Sequence, residues 1–438
     1  MGEPLVVPRS EHAISRKLID PDALKVLYRL HQAGHTAYLV GGSVRDLLLG
    51  RHPKDFDIGT SAHPYEVKKL FRNCWIIGRR FRLAHVRFGA KTVEVATFRR
   101  QVSEEELEQA AAAEDQVATE GAERSERDVQ RDRMIHRDNT FGTPEEDAFR
   151  RDFTINALFY DIGTFSIIDY TSGLQDLKAG VVRSIGDPNE RFQEDPARML
   201  RAVAFAARLG FTIDAPIEQA IDTHRAAIAR CAPARMIEEF YKLLRSGSSE
   251  RAFRLLAERR LLEPISPELQ AAAREPLWQS LAAVDRYRSR FESAPDTLTN
   301  AVLLGSLIVP LGRAAQILAP PPHADGDFKK EPAPSLGMLP LARRDVERLR
   351  QVLGLQRRLT DLTLSPRARR ALMHRGPFRE AMTWLEIHGN APEVLEHWRG
   401  FVEAAATFEG TPEAEAEPRP RRRRRRGRRP RRPPPPQS

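Results

Sequence analysis

Asp55 and Asp57 stand two residues apart in the run Lys-Asp-Phe-Asp, at the end of a stretch that begins at Tyr38. Between Tyr38 and this pair come a short apolar run, the paired glycines Gly41 and Gly42, and about two turns of helix-forming sequence. Residues i and i+2 of a strand point to one face, so a strand over Asp55 and Asp57 directs both carboxylates the same way. Carboxylates held together repel each other, and a divalent cation between them relieves the cost. Paired glycines let a backbone approach a phosphate at a helix start, where unpaired N–H groups and the helix dipole favour an anion. Metal and phosphate are therefore both expected here. Asp-x-Asp also occurs in solvated loops, and Gly-Gly before a helix is common, so the reading rests on finding both in one strand-helix-strand unit.

The chain that must position this unit has 438 residues, too many for one core, which suggests roughly two to four domains. With 41% hydrophobic residues and no apolar stretch near ~18 residues, a transmembrane span is not expected. The polar N-terminus lacks the apolar centre of a signal peptide. Cys74 and Cys231 are too few and too far apart for a disulfide framework or a zinc cluster, and a reducing, cytoplasmic setting fits them. The net charge of +10 is localised: eleven arginines lie between Arg419 and Arg432, and without them 59 basic residues face 60 acidic ones. An Arg/Pro-rich run cannot bury a core and is expected to be disordered, while its guanidinium density suits phosphate backbones. A solubilising tail or a membrane-surface contact are the alternatives.

In chain order, Pro21 to Ala33 reads as an amphipathic helix with Leu24, Leu27, Tyr28 and Leu30 on its buried side. Pro64 starts a helix through Phe71, and Ala84 to Phe88 and Thr92 to Phe98 read as a hairpin. In its second strand Glu94 lies opposite the face of Val93 and Val95, and a third carboxylate on a neighbouring strand is what a two-metal site needs. Such a glutamate can equally be a plain exposed residue. Gln101 to Arg137 is polar without an apolar face, an exposed insertion beside the site. Thr143, Pro144 and Glu146 spell a capping box that opens a helix delivering Arg150, Arg151 and Asp152. A further helix begins at Asp195-Pro196 and carries Arg198, Arg201, Phe205 and Arg208 on one stripe, either a solvated face or the lining of a nucleotide or RNA path. Beyond about residue 215 the pattern is helical, broken by a Pro-rich linker between 320 and 340.

Gly-Gly-Ser-Val-Arg-Asp, Lys-Asp-Phe-Asp, Glu-Val-Ala-Thr-Phe-Arg, Arg-Arg-Asp-Phe-Thr-Ile-Asn-Ala and Glu-Asp-Pro-Ala-Arg-Met-Leu-Arg-Ala follow one another in this chain. In that order they resemble the class II nucleotidyltransferases, which include bacterial poly(A) polymerases and CCA-adding enzymes. The resemblance covers roughly residues 12 to 260. Ile77 to Val86 is similar to the poly(A) polymerase form, as is the arginine-rich C-terminus. Ala204 departs from the pattern, standing where the family usually has an arginine.

The resemblance implies that Asp55 and Asp57 hold two Mg²⁺ ions, with Glu94 or Asp152 completing the acidic cluster. It implies that Gly41, Gly42, Arg45 and Asp46 cradle the triphosphate of ATP and that Arg150, Arg151 and Asn156 join the nucleotide site. Glu194, Asp195 and Arg198 match a motif that reads the base, since a carboxylate and an arginine together complement adenine's N6 donor and N1 acceptor. A capping role for Asp195 competes with that reading. Arg201 and Arg208, with Arg421, Arg422, Arg423, Arg424, Arg425 and Arg426 of the tail, are expected to contact RNA. The expected architecture is an α/β head with a mixed sheet over residues 12–185, including a flexible insertion at 101–137. It continues as a helical neck at 186–260, a helical body at 261–410 and a disordered tail at 411–438. The expected reaction is template-independent transfer of AMP from ATP to RNA 3′ ends by a monomer. The alternatives are a CCA-adding enzyme and, in another class, an RNA-binding protein with an idle head.

Overall fold

The computed structural model describes residues 3–78, 82–100, 140–312 and 334–409. The insertion at 101–137, the tail at 411–438, most of the Pro-rich linker and residues 79–81 lie outside these residues.

The N-terminal half is a mixed sheet with helices. Its eight strands are β1 (Leu5–Val7), β2 (Ala37–Val40), β3 (Ile58–Thr60), β4 (Cys74–Ile77), β5 (Leu83–Phe88), β6 (Lys91–Thr97), β7 (Leu158–Asp161) and β8 (Ser166–Asp169). They are ordered β1-β8-β7-β2-β3-β6-β5-β4, and every pairing is antiparallel except β3 with β6. The parallel pair aligns Ile58 with Val95, and the β5–β6 hairpin aligns His85 with Glu94. Alternation then separates the faces: Ala84, Val86, Val93 and Val95 enter the core while Glu94 stays outside.

Helix α1 (Pro21–Gln32) is capped by Asp20 and buries Ala23, Val26, Leu27 and Leu30. Tyr28, expected on the buried side, is exposed at 37%, because the i, i+3, i+4, i+7 stripe from Ala23 leaves it outside. Helix α2 (Gly42–Leu48) follows β2 directly, and α3 (Pro64–Leu70) packs on β4 and β5. The capping box forms as the sequence indicates: Thr143 Oγ1 accepts from Glu146 N at 3.2 Å and Glu146 accepts from Thr143 N at 2.7 Å, opening α4 (Pro144–Phe149). Helix α5 (Gly173–Ala179) closes this half.

Helices follow: α6 (Pro188–Glu194), α7 (Ala197–Leu209), α8 (Ala215–His224), α9 (Pro233–Arg245) and α10 (Ser249–Glu258), then a helical bundle reaching Glu409. Helix α7 packs on α10 and α9 and turns its other side to the sheet half. One apolar cluster runs continuously from Ile14 to Trp398, so sheet half and helices share a core. None of the described helices is long and apolar enough to cross a membrane.

Candidate active site

Asp55 and Asp57 precede β3 rather than lying within it. The strand begins at Ile58, although Val40 N still donates to Asp57 O at 3.1 Å and ties that residue to β2. One step back along the parallel register from Ile58 and Val95 sets Asp57 beside Glu94. The charges confirm the proximity. Desolvation first, then Glu94 and Asp55, push the Asp57 carboxyl up to about 6, opposed by Arg151. Asp55 is 73% exposed and 3.9 Å from Lys54 Nζ. Among the described residues no group of three His, Cys, Asp or Glu side chains is placed to hold a metal ion. The cluster offers opposed negative charge rather than closed coordination.

Asp152, the other candidate for the acidic cluster, faces different partners. It is mostly but not fully buried, accepts from Asn156 Nδ2 at 3.1 Å and from Arg201 Nε at 2.6 Å, and also accepts from Phe153 N. Burial alone would raise its carboxyl, but Arg201 and these donors outweigh it and hold the group below the ordinary range. Glu94 and Asp55, rather than Asp152, are the acids that raise the Asp57 carboxyl.

Behind Asp57 a cleft of about 590 Å³ opens between sheet and neck, lined by Gly41, Gly42, Asp57, Asp152, Asn156, Asp195, Phe205 and seven arginines. Gly41 has φ +67°, and a Cβ there would lie 3.0 Å from Arg151 Nη1 and 3.4 Å from Asn156 O, so glycine is required for both conformation and space. Its N–H is already donated to Leu158 O at 3.0 Å. Arg45 is buried, donates to Asp46 Oδ1 at 2.8 Å and to Asn156 Oδ1 at 2.5 Å, and stacks over Phe205 at 5.1 Å. Asp147, in the first turn of α4, holds Arg150 at 3.2 Å and Arg151 at 2.8 Å. Arg201 and Arg208 line the cleft but their heads are engaged, the first by Asp152 and the second by Asp46 at 2.5 Å. They cross-link α7 to the sheet half rather than presenting a free basic stripe. Arg421 to Arg426 lie outside the described residues.

At the neck side, Glu194 Oε2 accepts from Arg198 at 2.9 Å and from Arg191 at 3.1 Å, so it orients arginines. Asp195 lies between α6 and α7, its Oδ1 accepting from Ala197 N at 3.2 Å in a cap-like contact. Its two oxygens also receive both Arg235 Nη groups, at 3.0 and 2.7 Å. Two functional arginines escape the sequence reading. Arg235 comes from α9, forty residues beyond Asp195, and nothing local marks it. Arg191 is buried and donates to the backbone oxygens of Arg150 and Arg151 at 2.8 and 2.6 Å, fixing that arginine pair to α6. Ala204 is half-buried beside Phe205 and supplies no polar group.

The arrangement gathers cationic groups behind Asp57 and anionic groups in front of it, which suits a polyphosphate on one side and a cation-assisted transfer at the boundary. Comparison with known proteins agrees with this chemistry. The family models described as "Poly A polymerase head domain", "Probable RNA and SrmB-binding site of polymerase A" and "Polymerase A arginine-rich C-terminus" match residues 37–183, 210–273 and 335–433. Poly(A) polymerase I of Salmonella typhi is 49% identical over 266 residues, 60% of this chain and 54% of that protein. The CCA-adding enzyme of Lactobacillus helveticus is 38% identical over 244 residues, 56% of this chain and 54% of the relative. The chain thus matches about half the length of these curated relatives. Among solved structures, the Bacillus stearothermophilus CCA-adding enzyme in complex with CTP aligns at TM-score 0.60 and 27% identity, covering 91% of this chain and 90% of the other.

Proposed function

Because the chain belongs to the poly(A) polymerase and CCA-adding nucleotidyltransferase family, we propose that it is a template-independent RNA adenylyltransferase. In this reading ATP and an RNA 3′-hydroxyl give RNA extended by AMP, with release of pyrophosphate. One observation carries it: Asp57 stands at the boundary between an arginine-lined cleft and a carboxylate cluster. The nucleotide enters from the cleft, its triphosphate met by Arg45, Arg150 and Arg151, whose positions Asn156, Asp147 and Arg191 fix. Its base lies towards Asp195 and Arg198, which supply the acceptor and donor that adenine's N6 and N1 require. Arg45 and Phe205 form the floor.

Asp57, with Asp55 and Glu94 raising its proton affinity, would hold Mg²⁺, since a divalent cation relieves the repulsion these two acids impose on it. Two such ions would supply acidification of the RNA 3′-hydroxyl and neutralisation of the leaving pyrophosphate. Asp57 bridges the two halves of the site, and the packed core between sheet and neck keeps the cleft walls in register for in-line attack.

The choice of adenylate over CCA rests on the greater identity to poly(A) polymerases, on Ile77 to Val86 and on the arginine tail. The CCA-adding reading retains support from the CTP-bound neighbour that spans most of the chain. We also propose a monomer acting on cytoplasmic RNA in mRNA processing and decay, divided into head, neck, body and tail near residues 185, 260 and 410. Purified protein given ATP or CTP with unstructured RNA, and with tRNA lacking its end, decides the product. Long A-tails on unstructured RNA support adenylyl transfer; CCA addition confined to tRNA replaces it. No incorporation from any substrate, unchanged in Asp55→Ala, leaves RNA binding alone.

A further inference from the structure

Ile77 to Val86 resembles the poly(A) polymerase form, yet no contact described above gives this stretch a task. Its strands place one row of side chains across the sheet. His85 is paired with Glu94, and Trp75 with His85, so Glu94, His85 and Trp75 point to the same face, in line with Asp57. The opposite face of the same strands, Cys74, Ala84, Val86, Val93 and Val95, is core. His85 Nε2 lies 3.7 Å from Glu94 Oε1, closing the first gap in the row. The row ends on β4, the edge of the sheet, where Trp75 is 53% and Ile77 51% exposed. Trp75 makes no ring contact among the described residues. An edge strand, paired on one side only and carrying an exposed tryptophan, is a hazard that soluble proteins ordinarily blunt. Arg87, two residues beyond His85 on β5, is exposed on the same face, and Arg82 is exposed just before the strand begins.

We propose that this row is the track by which the RNA strand leaves the reaction centre, with an upstream base stacked on Trp75 and its phosphates beside Arg82 and Arg87. The proposal rests on the adenylyltransferase reading, and three observations single out RNA as the occupant. The row starts at the acid cluster, on the side away from the arginine-lined cleft, so an RNA end at Asp57 meets the nucleotide from the opposite direction. A base offers Trp75 the flat apolar face it lacks, whatever the sequence, as an enzyme without a template requires. The charge bordering the row is positive, complementary to a phosphate backbone. Three strand steps of ~4.8 Å separate Trp75 from Asp57, about 14 Å. At ~3.4 Å per stacked nucleotide, a primer of about four nucleotides spans that gap, and a dinucleotide falls short.

Trp75 is also the chain's own reporter, because Trp278, Trp384 and Trp398, the other three tryptophans, are buried at 7%, 7% and 1% exposure. Full-length protein is titrated with an adenylate dinucleotide and with an adenylate decanucleotide, following tryptophan emission and, separately, the anisotropy of labelled RNA. The decanucleotide is expected to quench emission, and Trp75→Phe to remove the quench while keeping the affinity. Trp75→Ala is expected to weaken decanucleotide binding roughly fivefold or more while extension of the dinucleotide stays at the wild-type rate. If RNA binds and is extended but Trp75→Ala matches wild type at both lengths, the track is wrong and the adenylyltransferase reading stands. A change in Trp75 emission that follows protein concentration without RNA would instead show a second copy seated on β4 and overturn the track. If no RNA binds at all, both readings fall.

Discussion

Asp57 and Asp152 line one cleft, yet their surroundings drive their carboxyls in opposite directions, to about 6 and to below the ordinary range. A carboxylate whose folded value is raised supports the fold below its unfolded value, near ~4, and loses that support as the pH rises through the folded value. The cation-free protein should therefore lose stability between about pH 4 and 6 on account of Asp57. Asp57→Asn should lack that loss and the stabilisation by Mg²⁺ expected of wild type, and should abolish nucleotide transfer. Thermal melts with and without Mg²⁺ across this range check it; identical melts for the two proteins would remove Asp57 from the metal site. For Asp152 the sign reverses: its support is present above the unfolded value and is lost as the pH falls through the folded one. Arg201→Ala strands that mostly buried carboxylate and, with Arg201 itself partly exposed and screened by solvent, should cost about 1–3 kcal/mol at pH 7 in urea unfolding, narrowing as the pH falls towards 4. An unchanged urea midpoint would mean that Asn156 and the Phe153 N–H suffice alone.

At the scale of elements, legibility follows the reach of each interaction. The capping box at Thr143 is decided within four residues, so it reads directly from the chain. The Asp57–Glu94 juxtaposition needs the parallel register of β3 with β6, which the alternation around Glu94 suggests but does not fix. Helical periodicity marked Arg201 and Arg208 as one stripe, but only the packing of α7 against the sheet half shows Asp152 and Asp46 facing them. β4 is a four-residue strand, too short for its pattern to stand out, and Arg235 owes its place to the crossing of α9 past Asp195. Arg191 is the clearest case of an element held by one side chain. It donates to three successive backbone oxygens, from Phe149 at the end of α4 to Arg151, where the helix gives way to the segment carrying Arg150 and Arg151. Arg191→Met should keep the helix yet free those two arginines, raising KM for ATP about tenfold or more with a smaller change in kcat. Steady-state kinetics at saturating RNA measures the split, and a pure loss of kcat would place Arg191 in the chemistry instead.

For the whole molecule, the charge distribution separates catalysis from retention of RNA. The first 418 residues are nearly neutral, and the excess of positive charge belongs to the eleven arginines from Arg419 onward. Within the folded part, the cleft arginines are largely committed to Asp46, Asp147, Asp152, Glu194 and Asp195, so they bind a nucleotide locally but add little long-range field. Long-range attraction for a polyanion must then come from the tail. Truncation after Pro418 should leave kcat on a saturating short primer unchanged while weakening binding of long RNA. The slope of log K against log salt should fall by up to ~8, at roughly 0.7 per phosphate neutralised on a single strand. Binding isotherms at several salt concentrations give that slope directly. If the truncated protein kept the full slope, the counterions would be released by the folded surface, and Arg82 and Arg87 beside the Trp75 row would be the first residues to neutralise.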